Sequence, residues 1–185
     1  MPLFAFWNNI PMVLPSSRKL LAIACGLLML NACTNQTFSS DENNTDIHQS
    51  ADINRVGPIS ADELIDGYNK FAEQKASFEP DESDLRLIKQ LQGFDLIVFF
   101  GLWCHDSERE VPRLLKLIEQ SEVQLNSLQL IALNQKKELT EEHQNSFKVD
   151  YTPTFFVMQE GQVLATMVEK PEQSIAKDLL SQILH

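Results

Sequence analysis

The segment Phe94 to Phe100 reads Phe-Asp-Leu-Ile-Val-Phe-Phe, almost continuously apolar and built of strand-forming residues. A run that short and that apolar, bounded by Gly93 and Gly101, predicts a central strand covered on both faces. Leu128 to Leu133 predicts a second buried strand, and Thr154 to Met158 and Gln162 to Val168 predict two more, joined by the hairpin signal Gln159-Glu160-Gly161. Helical spacing places Val111, Leu114, Leu115, Leu117 and Ile118 on one face of a helix over 107–120, with Pro112 inside it. A short polar helix is expected over Leu139–Phe147. A last helix begins near Pro171 and runs through Leu184, with Ile175, Leu179, Leu180 and Ile183 on one face. Upstream, Ser60-Ala61-Asp62-Glu63 has the form of a capping box ahead of Leu64, Ile65, Tyr68 and Phe71. Leu85, Leu87, Ile88 and Leu91 mark a second short helix ended by Gly93. The order β-α-β-α-β-β-α, preceded by helices, predicts an α/β layered fold in which only the final strand pair is an antiparallel hairpin.

The first part of the chain obeys different rules. Arg18 and Lys19 precede eleven uncharged residues, Leu20 to Leu30, followed by Asn31, Ala32 and Cys33. A positive start, a short apolar core and a small residue at the cut describe an export signal, too short to span a bilayer of about 30 Å. Residues 1–32 are therefore expected to be removed, with Met12 the more typical start. Residues 33–58, rich in Asn, Ser, Thr, Asp and Gln, cannot bury enough surface to offset the entropy of ordering and predict a flexible tether, His48 included. The folded domain is expected over 59–185.

Charge and length narrow the function. A formal net charge of −11 over 185 residues, with pI near 4.7, lacks the basic face a phosphate-backbone binder needs, so nucleic acid is excluded as a partner. Three cysteines, Cys25, Cys33 and Cys104, cannot pair evenly, and the first is lost with the leader.

Leu30-Asn31-Ala32-Cys33 resembles the lipobox of bacterial lipoproteins. The resemblance implies acylation at Cys33 and, with Thr34 following rather than Asp, an anchor in the outer membrane facing the periplasm. Two or three acyl chains hold firmly, each buried CH₂ contributing about 0.8 kcal/mol.

A second resemblance rests on three segments in order. Phe99 to Ser107 reads Phe-Phe-Gly-Leu-Trp-Cys-His-Asp-Ser, Pro112 stands five residues further on, and Tyr151-Thr152-Pro153-Thr154-Phe155 precedes the hairpin. Together they are similar to a thioredoxin-fold domain from Phe94 to Ile183, a fold with a central mixed sheet of about four strands and flanking helices. The resemblance implies that Cys104 attacks disulfides, that Pro153 is cis and exposes the backbone of Thr152 to a substrate strand, and that Trp103 and His105 border the substrate. A helix N-terminus favours the thiolate, whereas Asp106, Glu108 and Glu110 oppose a further negative charge nearby.

The departures carry as much. Ser107 replaces the resolving cysteine, so no intrachain disulfide is open to the mature chain, although Ser107 is placed to hydrogen-bond the Cys104 sulfur. Val98 stands where thioredoxins hold a buried acid. What remains is monothiol exchange with disulfide-containing exported proteins or small thiols, an outside thiol resolving the mixed disulfide. The alternatives are a non-catalytic peptide-binding module of the same fold and a redox sensor that dimerises through Cys104. No cofactor is implied. Cys104, His105 and Asp106 on one turn do not converge as metal ligands, so no metal is expected. His143 and the run Lys136, Lys137, Glu138, Glu141 and Glu142 are expected to be solvated, and His185 carries no signal.

Overall fold

A computed structural model describes residues 52–184. The leader with Trp7, the lipobox with Cys33, His48, most of the tether and the terminal His185 lie outside the described residues. The elements in order are β1 (Gly57–Ile59), α1 (Ala61–Gly67), α2 (Asn69–Ser77), α3 (Glu82–Ile88) with a 3₁₀ turn Lys89–Leu91, β2 (Asp95–Phe100), α4 (His105–Ser121), β3 (Ser127–Ala132), β4 (Thr154–Gln159), β5 (Gln162–Val168) and α5 (Ile175–Ile183).

The sheet has five strands in the order β1-β3-β2-β4-β5, one more than expected. The added strand, β1, begins inside the stretch assigned to the tether and pairs antiparallel with β3, Pro58 opposite Ile131. Its three residues give too short a pattern to register as a strand without the neighbour that pairs with it. β2 is central, parallel to β3 and antiparallel to β4, and all but its first residue are buried, as its apolar run requires. β4 and β5 form the expected hairpin, turned by Glu160 and Gly161 at φ 51° and 77°.

Alternation along β2 feeds two cores. Leu96, Val98 and Phe100 share one with Leu114, Leu117, Phe155, Val157 and Leu179. Ile97 and Phe99 face the other, with Ile131, Leu133, Val149 and Phe156.

The second face is not covered by the expected helix. Residues 141–146 form successive turns, and His143, expected in solvent, is buried there at 6% exposure. Its ring meets Phe99 edge-on at 5.3 Å, and its Nδ1 lies 2.7 Å from the Thr140 hydroxyl oxygen. A polar side chain tolerates such a place once one ring nitrogen is hydrogen-bonded. The sequence around it is polar because, of residues 139–147, the ones that turn inward to the sheet are Leu139, His143 and Phe147.

Upstream, Ser60 caps α1 as the pattern predicted, accepting from the Glu63 N–H at 3.1 Å. The Glu63 carboxylate pairs with Arg55 rather than closing the box. The apolar positions from Leu64 to Phe71 belong to two helices, because Gly67 ends α1 and Tyr68 is extended at φ −133°. α2 is stitched to α4 by Lys75–Glu119 at 2.7 Å and by Arg113 stacked 5.3 Å from the Phe78 ring centre.

Candidate functional site

β2 delivers the chain to the site and α4 carries it away. Between them, Gly101 to Trp103 form a tight loop, and Cys104 is the N-cap of α4, with φ −95° and ψ 121°. The cysteine is free and partly exposed. Its S–H donates to the Thr152 carbonyl at 3.1 Å. The Thr152–Pro153 peptide bond is cis, and the Pro153 carbonyl accepts from the Glu169 N–H at 2.7 Å, which fastens this loop to the end of β5. Thr152 itself is only 4% exposed, so its backbone is less open than the resemblance implied, while Tyr151 beside it is 56% exposed.

Ser107 does not serve the sulfur. Its hydroxyl oxygen accepts the Gly101 N–H at 3.1 Å, and the residue is fully buried. It clamps the end of β2 to the first turn of α4, satisfying a backbone donor that no strand or helix partner reaches. Val98 is likewise fully buried, within the apolar core.

Trp103 is held from two sides. Its indole N–H donates to the Leu133 carbonyl at 3.0 Å, and a Cβ on Gly101 would stand 2.7 Å from its Cε2. Glycine at 101 is therefore what lets the ring lie against the loop. Lys137, expected among solvated charges, is partly buried with its ammonium 5.7 Å from the Trp103 ring centre. Gly101, Leu133 and Lys137 are site residues the sequence did not flag. The available signal was Asn134, whose side chain turns the 134–138 loop toward the ring, since Asn bonds its own following backbone readily.

The acidic first turns of α4 are largely neutralised. Asp106 pairs with Arg109 at 2.6 Å, Glu108 with Lys70 at 2.9 Å, and buried Glu110 with Arg109 at 2.5 Å. Burial works against the Arg109 charge, yet the bonds to Glu110 and Asp106 outweigh it and hold the guanidinium proton more tightly than usual. Cys104 thus meets the Thr152-Pro153 loop with Trp103 beside it in the chain, His105 is exposed at the outer edge, and Ser107 is turned away onto Gly101. Among the described residues, no group of three or more His, Cys, Asp or Glu side chains is arranged to hold a metal ion.

No curated protein matches the chain. Among solved structures, a protein of unknown function from Pseudomonas aeruginosa is similar at 13% identity and a TM-score of 0.45, covering 62% of this chain and 80% of that one. An HIV epitope-scaffold is similar at 15% identity and a TM-score of 0.44, covering 68% of this chain and 96% of that one. Residues 61–181 match the family model described as thioredoxin, well over half of the chain. On that match, and with a helix-capping cysteine facing a cis-proline loop, the chain belongs to the thioredoxin family.

Proposed function

We propose that this chain is a lipid-anchored thioredoxin-family protein of the bacterial cell envelope that performs monothiol exchange through Cys104. The observation that carries the reading is a partly exposed thiol at the N-terminus of α4, 3.1 Å from the Thr152 carbonyl, with Ser107 where a resolving cysteine would stand. The thiol gives its proton to solvent, and the thiolate attacks one sulfur of a substrate disulfide. A new S–S bond joins Cys104 to that sulfur, and the other sulfur leaves as a thiolate. A second, external thiolate then displaces Cys104 and carries the substrate sulfur away as a disulfide. The α4 N-terminus supplies unpaired N–H groups to the attacking anion.

The anchor part of the reading rests on the leader and on Leu30-Asn31-Ala32-Cys33. Acylated Cys33 holds the domain on the periplasmic face of the outer membrane.

Non-reducing electrophoresis of cell envelopes, followed by mass spectrometry of the Cys104-bearing peptide, is the test. The wild-type chain gives a mixed disulfide that reduction dissolves, and Cys104→Ala gives none. Equal capture by Cys104→Ala ends the exchange reading. Cys33→Ser is expected to move the protein from the membrane pellet to the soluble fraction, and its retention in the pellet ends the anchor reading.

A further inference from the structure

Monothiol exchange needs an external thiol, and a positive charge stands over the ring of Trp103, the residue that precedes Cys104. Asp106 and Glu108, the acids nearest the sulfur in sequence, are each paired, with Arg109 and Lys70. Lys137 has no ion pair among the described residues, and its ammonium stands 5.7 Å from the ring centre of Trp103, the residue next to Cys104.

Its place is constructed. The Asn134 side-chain oxygen accepts from the N–H groups of Lys136 at 3.1 Å and Glu138 at 3.3 Å, and its amide donates to the Glu138 carboxylate at 2.7 Å. The Lys137 N–H donates to the Asn134 carbonyl at 2.9 Å, and Lys137 adopts φ 59°, a left-handed conformation uncommon outside glycine. Trp103 is in turn fixed by the Leu133 carbonyl. The neighbouring carboxylate of Glu138 is thereby turned back onto Asn134, and the free positive charge is presented at the ring.

We infer that this chain takes as its resolving partner a small thiol bearing a negative group, a carboxylate or sulfonate, which Lys137 holds over the Trp103 edge of the site. The inference rests on the exchange reading above. The incoming thiolate attacks the mixed disulfide on the substrate sulfur, the S–S bond to Cys104 breaks, Cys104 leaves as thiolate and takes a proton from solvent. Lys137 enters no bond change; it offsets the repulsion that an acidic protein of net charge −11 otherwise exerts on an anionic reagent.

The test uses the full chain with Cys104 capped by hydroxyethyl disulfide. Removal of that cap by mercaptoethanesulfonate, mercaptoethanol and cysteamine is followed by mass spectrometry of the Cys104 peptide. Each rate is divided by the same thiol's rate on free hydroxyethyl disulfide, which removes differences in intrinsic reactivity. The anion-to-neutral ratio is expected to fall about two- to threefold in Lys137→Gln and further in Lys137→Glu, to persist in Lys137→Arg, and to shrink in added salt. A ratio that stays constant across Lys137→Gln and Lys137→Glu overturns the inference, even if all three rates move together, since that pattern reports only the packing of Trp103. Failure of hydroxyethyl disulfide to cap Cys104 at all sinks the exchange reading, and this inference with it.

Discussion

Cys104 and Thr152, separated by 48 positions in sequence, meet at 3.1 Å, the thiol donating to the carbonyl. An extended chain arriving to pair with Thr152 finds that acceptor already engaged and the residue 4% exposed. The partly exposed sulfur is the more available group.

Ser107 is a structural clamp, and its removal tests that. Ser107→Ala leaves the buried Gly101 N–H without an acceptor and is expected to cost about 1–3 kcal/mol of unfolding free energy, read from urea denaturation. Ser107→Cys restores a dithiol at the family spacing and is expected to gain insulin reduction with dithiothreitol above the wild-type level, together with some loss of stability.

Gly101→Ala drives a methyl group to within 2.7 Å of the Trp103 ring. The indole must leave its place against the loop and lose its bond to the Leu133 carbonyl. The expected result is a changed tryptophan emission and a loss of about 1–3 kcal/mol in denaturation. Wild-type emission and stability would contradict the packing described.

His143→Ala opens a hole between Phe99 and Phe147 under the 134–151 segment. A loss of about 2–4 kcal/mol is expected on unfolding, where a solvated histidine would give almost none.

The α3 N-cap sets an acid limb. Asp81 accepts the Ser83 N–H at 2.7 Å, and its bonds to Ser83 hold its carboxyl below the ordinary carboxylate range. A depressed folded value means the contribution is complete above the unfolded value, near pH ~4, and is lost as pH falls through the folded one. Asp81→Asn retains a capping oxygen without the titration. Its stability between about pH 4 and pH 2 should therefore decline less steeply than wild type in pH-dependent denaturation.

Much of the fold is written in local pattern. The apolar run of β2 could satisfy itself only between two layers, the α4 and α5 faces repeat at helical spacing, and Glu160-Gly161 turns the hairpin with two left-handed residues. The order Trp103-Cys104, Pro112, Thr152-Pro153 marks the candidate site along the chain through its resemblance to the thioredoxin fold. The strand, helix and hairpin features depend on residues near one another in sequence, or on spacing that one element alone enforces.

What the tertiary structure decided depends on partners far along the chain. β1 is a strand because β3 pairs with it, and His143 is buried because Phe99 and Phe156 lie beneath its loop. Ser107 faces Gly101 rather than the sulfur, and Lys137 reaches Trp103 across a loop built by Asn134. A polar side chain has several possible partners of similar energy, and only the packed arrangement leaves one of them within reach.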